Sequence, residues 1–458
     1  MQQSFSAIPR SSLLKVVGIG VMILVMLIPM SMTRGVIQDR QVVNLAAQVD
    51  IMNAWGQQQL IGSPILVVPY QIERKGSYSE HTVDESEVFI LPQQFVVDVE
   101  MIPEVRYRGL HEVPVYTANS VMSGEFSAPN MLGLGIDHAQ FDWSRAYFAL
   151  PISDPRAIRN APAISINGKE ARFEAGGNKV AGLPPQVVAL AGELLDDATR
   201  NGTFTFSIDL DLGGTKSLKF LPLGDTTDVS VRSTWPSPTF TGDHLPETRK
   251  ISDEGFTASW RVASLGRTLP SRWADDRLPN AAQNLSGFGV SLFVPIGIYQ
   301  MTDRATKYAV LFIGLTFVTF FLFEVLVRLR LHPLQYLLVG FANTLFFLLL
   351  LSLSEHTGFG LAYFMSALAS TGLVALYSSS ILKSWRRASL VTAMLSGLYG
   401  FLYLTLRAES LAMLAGTVGL WFSLGVVMYL TRHIDWYNWG SLDDSGPNQQ
   451  ELFAGSRT

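Results

Sequence analysis

The sequence predicts a mixed membrane protein, with a β-rich, sandwich-like exported domain and a six-span α-helical membrane region of one N-terminal and five C-terminal helices. Three observations predict it. A lone apolar run, Leu13–Met32, stands near the start; a long polar stretch with strand-like alternation follows it; and from Tyr308 to Leu430 the chain is apolar almost throughout. Hydrophobic residues make up 48% of the 458 and charged ones only 16%, so the average conceals one part built for lipid and another built for water. The expected segments are 1–33 (cytoplasmic N-terminus and first helix), 34–307 (periplasmic β-rich domain), 308–430 (five-helix bundle) and 431–458 (cytoplasmic tail).

The first apolar run is about 20 residues, which at 1.5 Å per residue matches a hydrocarbon core of about 30 Å. Arg10 and Lys15 flank its start, and it leaves through Pro29-Met30-Ser31-Met32-Thr33-Arg34 without an A-x-A cleavage pattern, so an uncleaved anchor is expected. Five further spans fit 308–327, 334–353, 359–382, 388–406 and 411–430. Orientation follows from basic residues in short loops. A cytoplasmic N-terminus puts Arg10, Lys15, Arg328, Arg330, Lys383, Arg386, Arg387 and Arg432 inside and only Arg407 outside, which predicts both termini in the cytoplasm.

The polar stretch alternates with period two in Glu87-Val88-Phe89-Ile90-Leu91, in Phe95-Val96-Val97-Asp98-Val99 and over Thr203–Leu210, the pattern of half-buried strands. Asp228–Trp235 and Phe256–Val262 continue it, with Gly213-Gly214, Pro222, Pro236, Pro238 and Asp253-Glu254-Gly255 as turns between them. A pair of packed sheets is expected. Over Gln186–Arg200, Val187, Leu190, Ala191, Leu194 and Leu195 have the spacing of an amphipathic helix, and a short helix is expected over Val36–Trp55.

Several chemistries are excluded or unsupported. The chain has no cysteine, which rules out thiolate catalysis and thiolate metal sites. The net charge of -4 argues against a nucleic-acid partner. The seven histidines are dispersed without H-x-x-x-H or H-E-x-x-H spacing, the adjacent acids Asp275-Asp276 point apart, and no phosphate loop or nucleophile elbow is present. The expectation is a protein that is not an enzyme, with no catalytic, cofactor-binding or metal residues. Membrane lipids and an envelope protein or cell-wall component are the expected partners.

Specific stretches carry a resemblance. Leu27-Ile28-Pro29-Met30, Gly62–Tyr70, Tyr308–Phe317, His332–Gly340, Leu351–His356 and Met428–Tyr437 look like the CreD family of bacterial inner-membrane proteins, in order and over nearly the whole chain. The polar domain resembles it more loosely, in Ser233–Pro238 and Gly255–Trp260. The resemblance implies an inner-membrane protein tied to cell-envelope integrity, to the regulon of the CreBC two-component system and to envelope-stress and β-lactam response. The family offers no catalytic residues to carry over.

The candidate functional residues are therefore charges in or beside the spans. Glu324 is the one acid within a span, and Arg328 at i+4 is its expected partner at the cytoplasmic surface. Glu355, His356, Arg407 and Glu409, with Asp303, Arg304 and Lys307, are expected at the opposite surface as a polar collar for the β domain, including a Glu409–Arg304 pair. Ala362, Ser366 and Ser370 form a small-residue ridge for helix packing. Trp143, Trp235 and Trp273 are expected as exposed aromatics for binding. Two function classes follow: a non-enzymatic envelope protein whose β domain binds a partner, or a transporter or lipid-handling protein using the bundle.

Overall fold

The computed structural model describes residues 10–75, 81–109, 111–127, 140–180, 182–196, 199–200, 202–263, 269–274, 285–292, 297–327, 331–382, 384–407 and 412–432. They form two compact units, one of Asn44–Pro295 and one of Met1–Val43 with Ile296–Thr458. Both divisions fall inside the limits of 34 and 307 expected from composition. The first helix, α1 (Arg10–Trp55), contributes to each unit. The anchor and the helix expected after it are one element of 46 residues, because Pro29 removes a single backbone donor and lipid-embedded helices tolerate that.

The β-rich unit has nineteen strands among the described residues. In chain order these begin with β1 (Gln59–Ile61), β2 (Ile65–Lys75), β3 (His81–Ile90), β4 (Gln94–Arg108), β5 (His111–Phe126) and β6 (Gln140–Phe141). Next come β7 (Tyr147–Pro151), β8 (Ala163–Ile166), β9 (Lys169–Arg172), β10 (Glu174–Gly177), β11 (Gln186–Leu190), β12 (Phe204–Thr215) and β13 (Ser217–Phe220). The last are β14 (Thr226–Ser233), β15 (Pro238–Thr241), β16 (Thr248–Ser252), β17 (Gly255–Ala263), β18 (Arg272–Ala274) and β19 (Phe288–Leu292).

Three sheets result where a pair was expected. Eight strands run in the order β16-β17-β14-β4-β5-β12-β8-β9; seven include the path β10-β11-β7-β2-β3-β18 with β6 beside β2; four run β1-β13-β19-β15. Period-two alternation explains how they pack. Leu66, Val68 and Tyr70 of β2 join Phe95, Val97 and Val99 of β4 and Phe206 and Ile208 of β12 in one core. Their neighbours Ile65 and Val67 point the other way, into a second core with Leu221, Leu223 and Trp273, so the middle of the seven-stranded sheet is buried on both faces. Phe126 is fully buried at the centre of the main core, with ring centroids 5.7, 5.3 and 5.4 Å from Phe148, Phe204 and Phe206. Beside it Gly124 leaves room for the Gln94 carbonyl and the Phe206 ring, which a Cβ would meet.

The C-terminal end of α1 is fastened to this unit by Trp55. Its ring lies between the guanidinium groups of Arg159, 3.8 Å from the centroid, and Arg106, at 4.6 Å, and its Nε1 donates to the Tyr116 carbonyl at 3.1 Å. The Tyr116 phenol in turn donates to the Ser217 carbonyl at 2.7 Å, and burial pushes its pKa up.

Two expectations are corrected in this unit. Gln186–Leu190 is a strand paired with β7 and not the start of a helix. Val187 and Ala189 face the core while Leu190 is 71% exposed, and Ala191, Leu194 and Leu195 are buried in the turn that follows. The tryptophans are not exposed either. Trp273 is buried and stacked on Phe89 at 5.3 Å, and Trp143 and Trp235 are half-buried against the main core.

The helical unit adds α2 (Ile298–Lys307), α3 (Ala309–Val327), α4 (Pro333–Thr357), α5 (Phe359–Ile381), α6 (Trp385–Arg407) and α7 (Ala412–Thr431). Local chemistry sets their limits. His332 caps α4 by accepting from the Leu334 amide while the Gln335 side chain accepts from the His332 amide, with Pro333 at the first helical position. Gly358, at φ 77°, ends α4 in a conformation few other residues adopt. By length and apolarity four of the described helices can cross a membrane, or five if α2 and α3, bent by 44°, are one span; the apolar part of α7, Gly416–Tyr429, is shorter.

Two outcomes test this packing. Phe126→Ala is expected to destabilise the β-rich unit by about 3–5 kcal/mol, the cost of emptying a large buried aromatic site, read as a lower denaturant midpoint. Asp154 is 5% exposed and accepts from Arg156 Nε (2.8 Å) and Nη2 (3.2 Å) and from the Gln57 amide (3.2 Å). Burial opposes its charge, but the guanidinium and the amide outweigh burial and hold the carboxyl below its usual range. Its contribution is therefore present above the unfolded carboxyl pKa of about 3.9 and is lost as pH falls through the lower folded value. Asp154→Asn is expected to flatten the acid limb of a pH–stability curve measured from pH 5 downward.

Candidate functional site

α1 lies along the helical unit on a narrow seam. Met26, Met30, Thr33 and Ile37 are buried at alternating four- and three-residue intervals, the spacing that keeps one face of a helix against its neighbours. The closest approach is at Gly340 of α4, where a Cβ would come within 2.7 Å of the Met26 sulfur and 3.0 Å of Phe317. A small residue there lets α1 sit between α3 and α4.

A carboxylate stands at each end of this seam. Glu324, near the end of α3 and 6% exposed, accepts from Lys15 Nζ of α1 at 3.2 Å and from the Tyr336 phenol of α4 at 2.8 Å. Glu355, near the end of α4, accepts from the Tyr299 phenol of α2 at 3.1 Å and lies 4.0 Å from Arg40 Nε of α1. Ile37, Tyr299 and Leu351 pack together beside the second site. Each site therefore combines an acid, a tyrosine and a cation drawn from α1.

Between the two lies a polar node. Asn343 of α4, 1% exposed, donates to Thr316 Oγ1 of α3 at 3.1 Å and accepts from the Tyr399 phenol of α6 at 3.4 Å; Tyr363 of α5 donates to the Tyr399 carbonyl. This node ties α3, α4, α5 and α6 together. Phe317 and the Met26–Gly340 contact lie between it and Glu324 along the helices.

The sequence-derived candidates are placed as follows. Glu324 is buried as a paired acid, and its partners among the described residues are Lys15 and Tyr336; Arg328 lies outside them. Glu355 joins α1 and α2 of its own unit. His356 and Arg407 are exposed and Arg304 is half-buried, and among the described residues none of them pairs with Glu355. Arg407 lies over the Tyr403 ring at 5.6 Å, and Asp303 pairs with Lys307 at 3.1 Å within α2. Glu409 and the Asp275-Asp276 pair also lie outside the described residues. The ridge of Ala362, Ser366 and Ser370 is buried within the unit. Reading for charge alone missed Asn343, Tyr336 and Arg40; an amide halfway along an apolar helix was the available signal for the first. Among the described residues no group of three His, Asp or Glu side chains could hold a metal ion.

Helices long and apolar enough to cross a bilayer, tied together through buried polar groups and sharing α1 with a β-rich unit, define a membrane protein with a large β-rich region. The chain belongs to the CreD family: the family model for inner membrane protein CreD matches residues 11–437. The inner membrane protein CreD of Escherichia coli (strain K12) is similar at 33% identity over 419 residues, covering 91% of each chain. Among solved structures, a two-domain M1 zinc metallopeptidase bound to L-arginine and an M1 zinc metallopeptidase from Deinococcus radiodurans each align over 74% of this chain and 94% of their own. Their identities are 10% and 11% and their TM-scores 0.21, too low to carry an argument about fold or chemistry.

The Glu324 site makes a directional prediction. Lys15→Met leaves a buried carboxylate with the phenol as its one partner among the described residues and is expected to cost about 1–3 kcal/mol. Glu324→Gln keeps an acceptor for Tyr336 and is expected to cost less. Combining the two should recover stability relative to Lys15→Met, measured by unfolding in mild detergent; strict additivity would sever the pair.

Proposed function

We propose that this protein is a non-enzymatic envelope protein of the bacterial inner membrane, whose β-rich region faces the periplasm and binds a protein or cell-wall component while the helices anchor it. The proposal includes a contribution to envelope integrity and to the response to envelope stress. The observation that carries it is the way the helical unit uses its own polar groups. Glu324, Glu355 and Asn343 are each engaged by side chains of that unit, and aromatic and methionine packing separates the first from the third. That favours an anchor over an ion or solute path, which needs polar groups left for cargo. Transport or lipid handling is the alternative reading.

Direction and span each have a support. In the short loops and terminal segments, eight basic residues lie on one side against one on the other, which favours both termini in the cytoplasm. Lys15 and Arg40 are also 25 positions apart on α1, about 37 Å at 1.5 Å per residue, enough to set one cation at each surface of a core of about 30 Å. For the binding surface, the favoured region is a cleft of about 530 Å³ where β4, β14, β16 and β17 meet. It sets the exposed apolar side chains Ile102 and Ile251 beside the cations Arg232 and Lys250.

Two experiments test the proposal. Because the chain has no cysteine, each introduced one is the only thiol. Lys250→Cys is expected to react with a membrane-impermeant maleimide in spheroplasts, and Arg387→Cys only after lysis; the reverse pattern overturns the orientation. A photocrosslinking residue at Ile102 or Ile251 in living cells is expected to capture a protein or peptidoglycan fragment. Lipid adducts would favour the alternative, and no adduct at either position would remove this cleft as the binding surface.

A further inference from the structure

Two apolar grooves run along the helical unit, one on each side of a ridge of α4. The first, of about 260 Å³, lies between α1 and α4, where Pro29 and Val36 face Leu345 and Leu348. The second, of about 440 Å³, lies between α4 and α5 and shares those two leucines. Both lie on helices long and apolar enough to cross the membrane, so the molecules available to fill them are lipid chains.

Charge at one end distinguishes this surface from a merely apolar one. α1 and α4 run in the same direction, since Lys15 reaches the residues beside Tyr336 and Arg40 reaches Glu355. The first groove therefore leads toward Arg40. Val36 and Arg40 stand one turn apart on the same face of α1, 43% and 57% exposed, with Arg40 about 6 Å further along the axis. Arg40 meets Glu355 only through Nε and only at 4.0 Å; among the described residues its Nη atoms pair with no carboxylate. A largely exposed guanidinium one turn beyond an acyl groove matches a phosphodiester, which it can bind in bidentate fashion.

We propose that this surface holds one anionic phospholipid, its two acyl chains lying astride the Leu345–Leu348 ridge and its phosphate on Arg40. The lipid would cover the outer side of the α1–α4 seam and add a third attachment at its Arg40 end. The site does not depend on which way the protein faces.

The test uses the full-length protein in nanodiscs of equimolar phosphatidylglycerol and phosphatidylcholine with identical acyl chains, released into a mass spectrometer. The wild type is expected to retain one phosphatidylglycerol over phosphatidylcholine by about fivefold, the factor one basic residue supplies near anionic lipid. Arg40→Gln should bring that ratio to about one and Arg40→Lys should keep most of it. Glu355→Gln, which releases Arg40 from its pair but preserves its charge, should keep the preference. Leu345→Trp should reduce retention of both lipids, whereas Leu390→Trp, at a 62% exposed position of α6, should not. Equal retention of the two lipids by the wild type overturns the proposal. So does a preference that survives Arg40→Gln, one lost equally in Glu355→Gln, undiminished retention in Leu345→Trp, or a dimer mass in place of a lipid adduct.

Discussion

The helical unit depends on how α1 is held in the groove between α3 and α4. Inside a bilayer, water does not drive apolar helices together, so their register must come from shape and from polar contacts. Met26 against Gly340 supplies the shape. Glu324 and Glu355 supply the polar contacts, and they act on opposite ends of the same helix through Lys15 and Arg40. A slide of one turn, about 5.4 Å, would break both ion contacts and lift the methionine off its glycine together. Two end contacts of unequal strength and one close central contact therefore define a single register more sharply than any of them could alone. Asn343 performs the corresponding task for the remaining helices, joining α3 to α4 and α6 at a depth where an unpaired amide would be costly.

The β-rich unit solves a different problem. A region of this size must exclude water without disulfides, and it does so with two cores in place of one. β2 makes this possible because its residues are apolar on both faces at Ile65–Val68, so the seven-stranded sheet can be covered from each side. The eight-stranded sheet keeps the simpler alternation, with Asp98 and Glu100 of β4 pointing away from the core that Val97 and Val99 enter. Trp55 attaches the end of α1 to this framework through its two arginines and the Tyr116 carbonyl, so the last turns of a largely apolar helix become part of a water-soluble fold.

Much of this was legible in the sequence wherever one periodicity was long and unmixed. The strands at Phe95–Val99, Thr203–Leu210 and Phe256–Val262 and the apolar helices after Tyr308 show it. Gln186–Arg200 was not legible, because a five-residue strand followed by a turn places apolar residues at 187, 191, 194 and 195, which imitates a helical stripe. The exposed Leu190 belongs to neither core, and its hydrophobicity supported the wrong period. The fate of Glu324 was half legible. Its place near one end of a span was readable from position, while Arg328, the partner expected four residues along the same helix, lies outside the described residues. The cation seen beside it among the described residues is Lys15, more than three hundred residues earlier in the chain. Tyr336 and Tyr299 were passed over because a phenol in an apolar helix reads first as an aromatic and only second as a donor.

The unequal geometry of the two carboxylates bears on what each end of α1 can do. At Glu324 both contacts are within hydrogen-bond distance, at 3.2 and 2.8 Å, and the acid is nearly enclosed, so removing the cation strands a charge. At Glu355 the acid is less buried, and the guanidinium stands at the outer limit of an ion pair, approaching it through Nε. A pair at that separation with its cation largely in solvent adds about 1 kcal/mol at most. Arg40 is thus a poor choice if its only task is to neutralise Glu355, where a lysine or a closer contact would serve as well. Its long reach, planar donor set and position one turn beyond an acyl-sized groove make sense if the cation is shared between the protein's acid and an anion supplied by the membrane. On that argument, the Glu324 end fixes where α1 begins, and the Glu355 end is where the surrounding lipid can influence how firmly α1 is held.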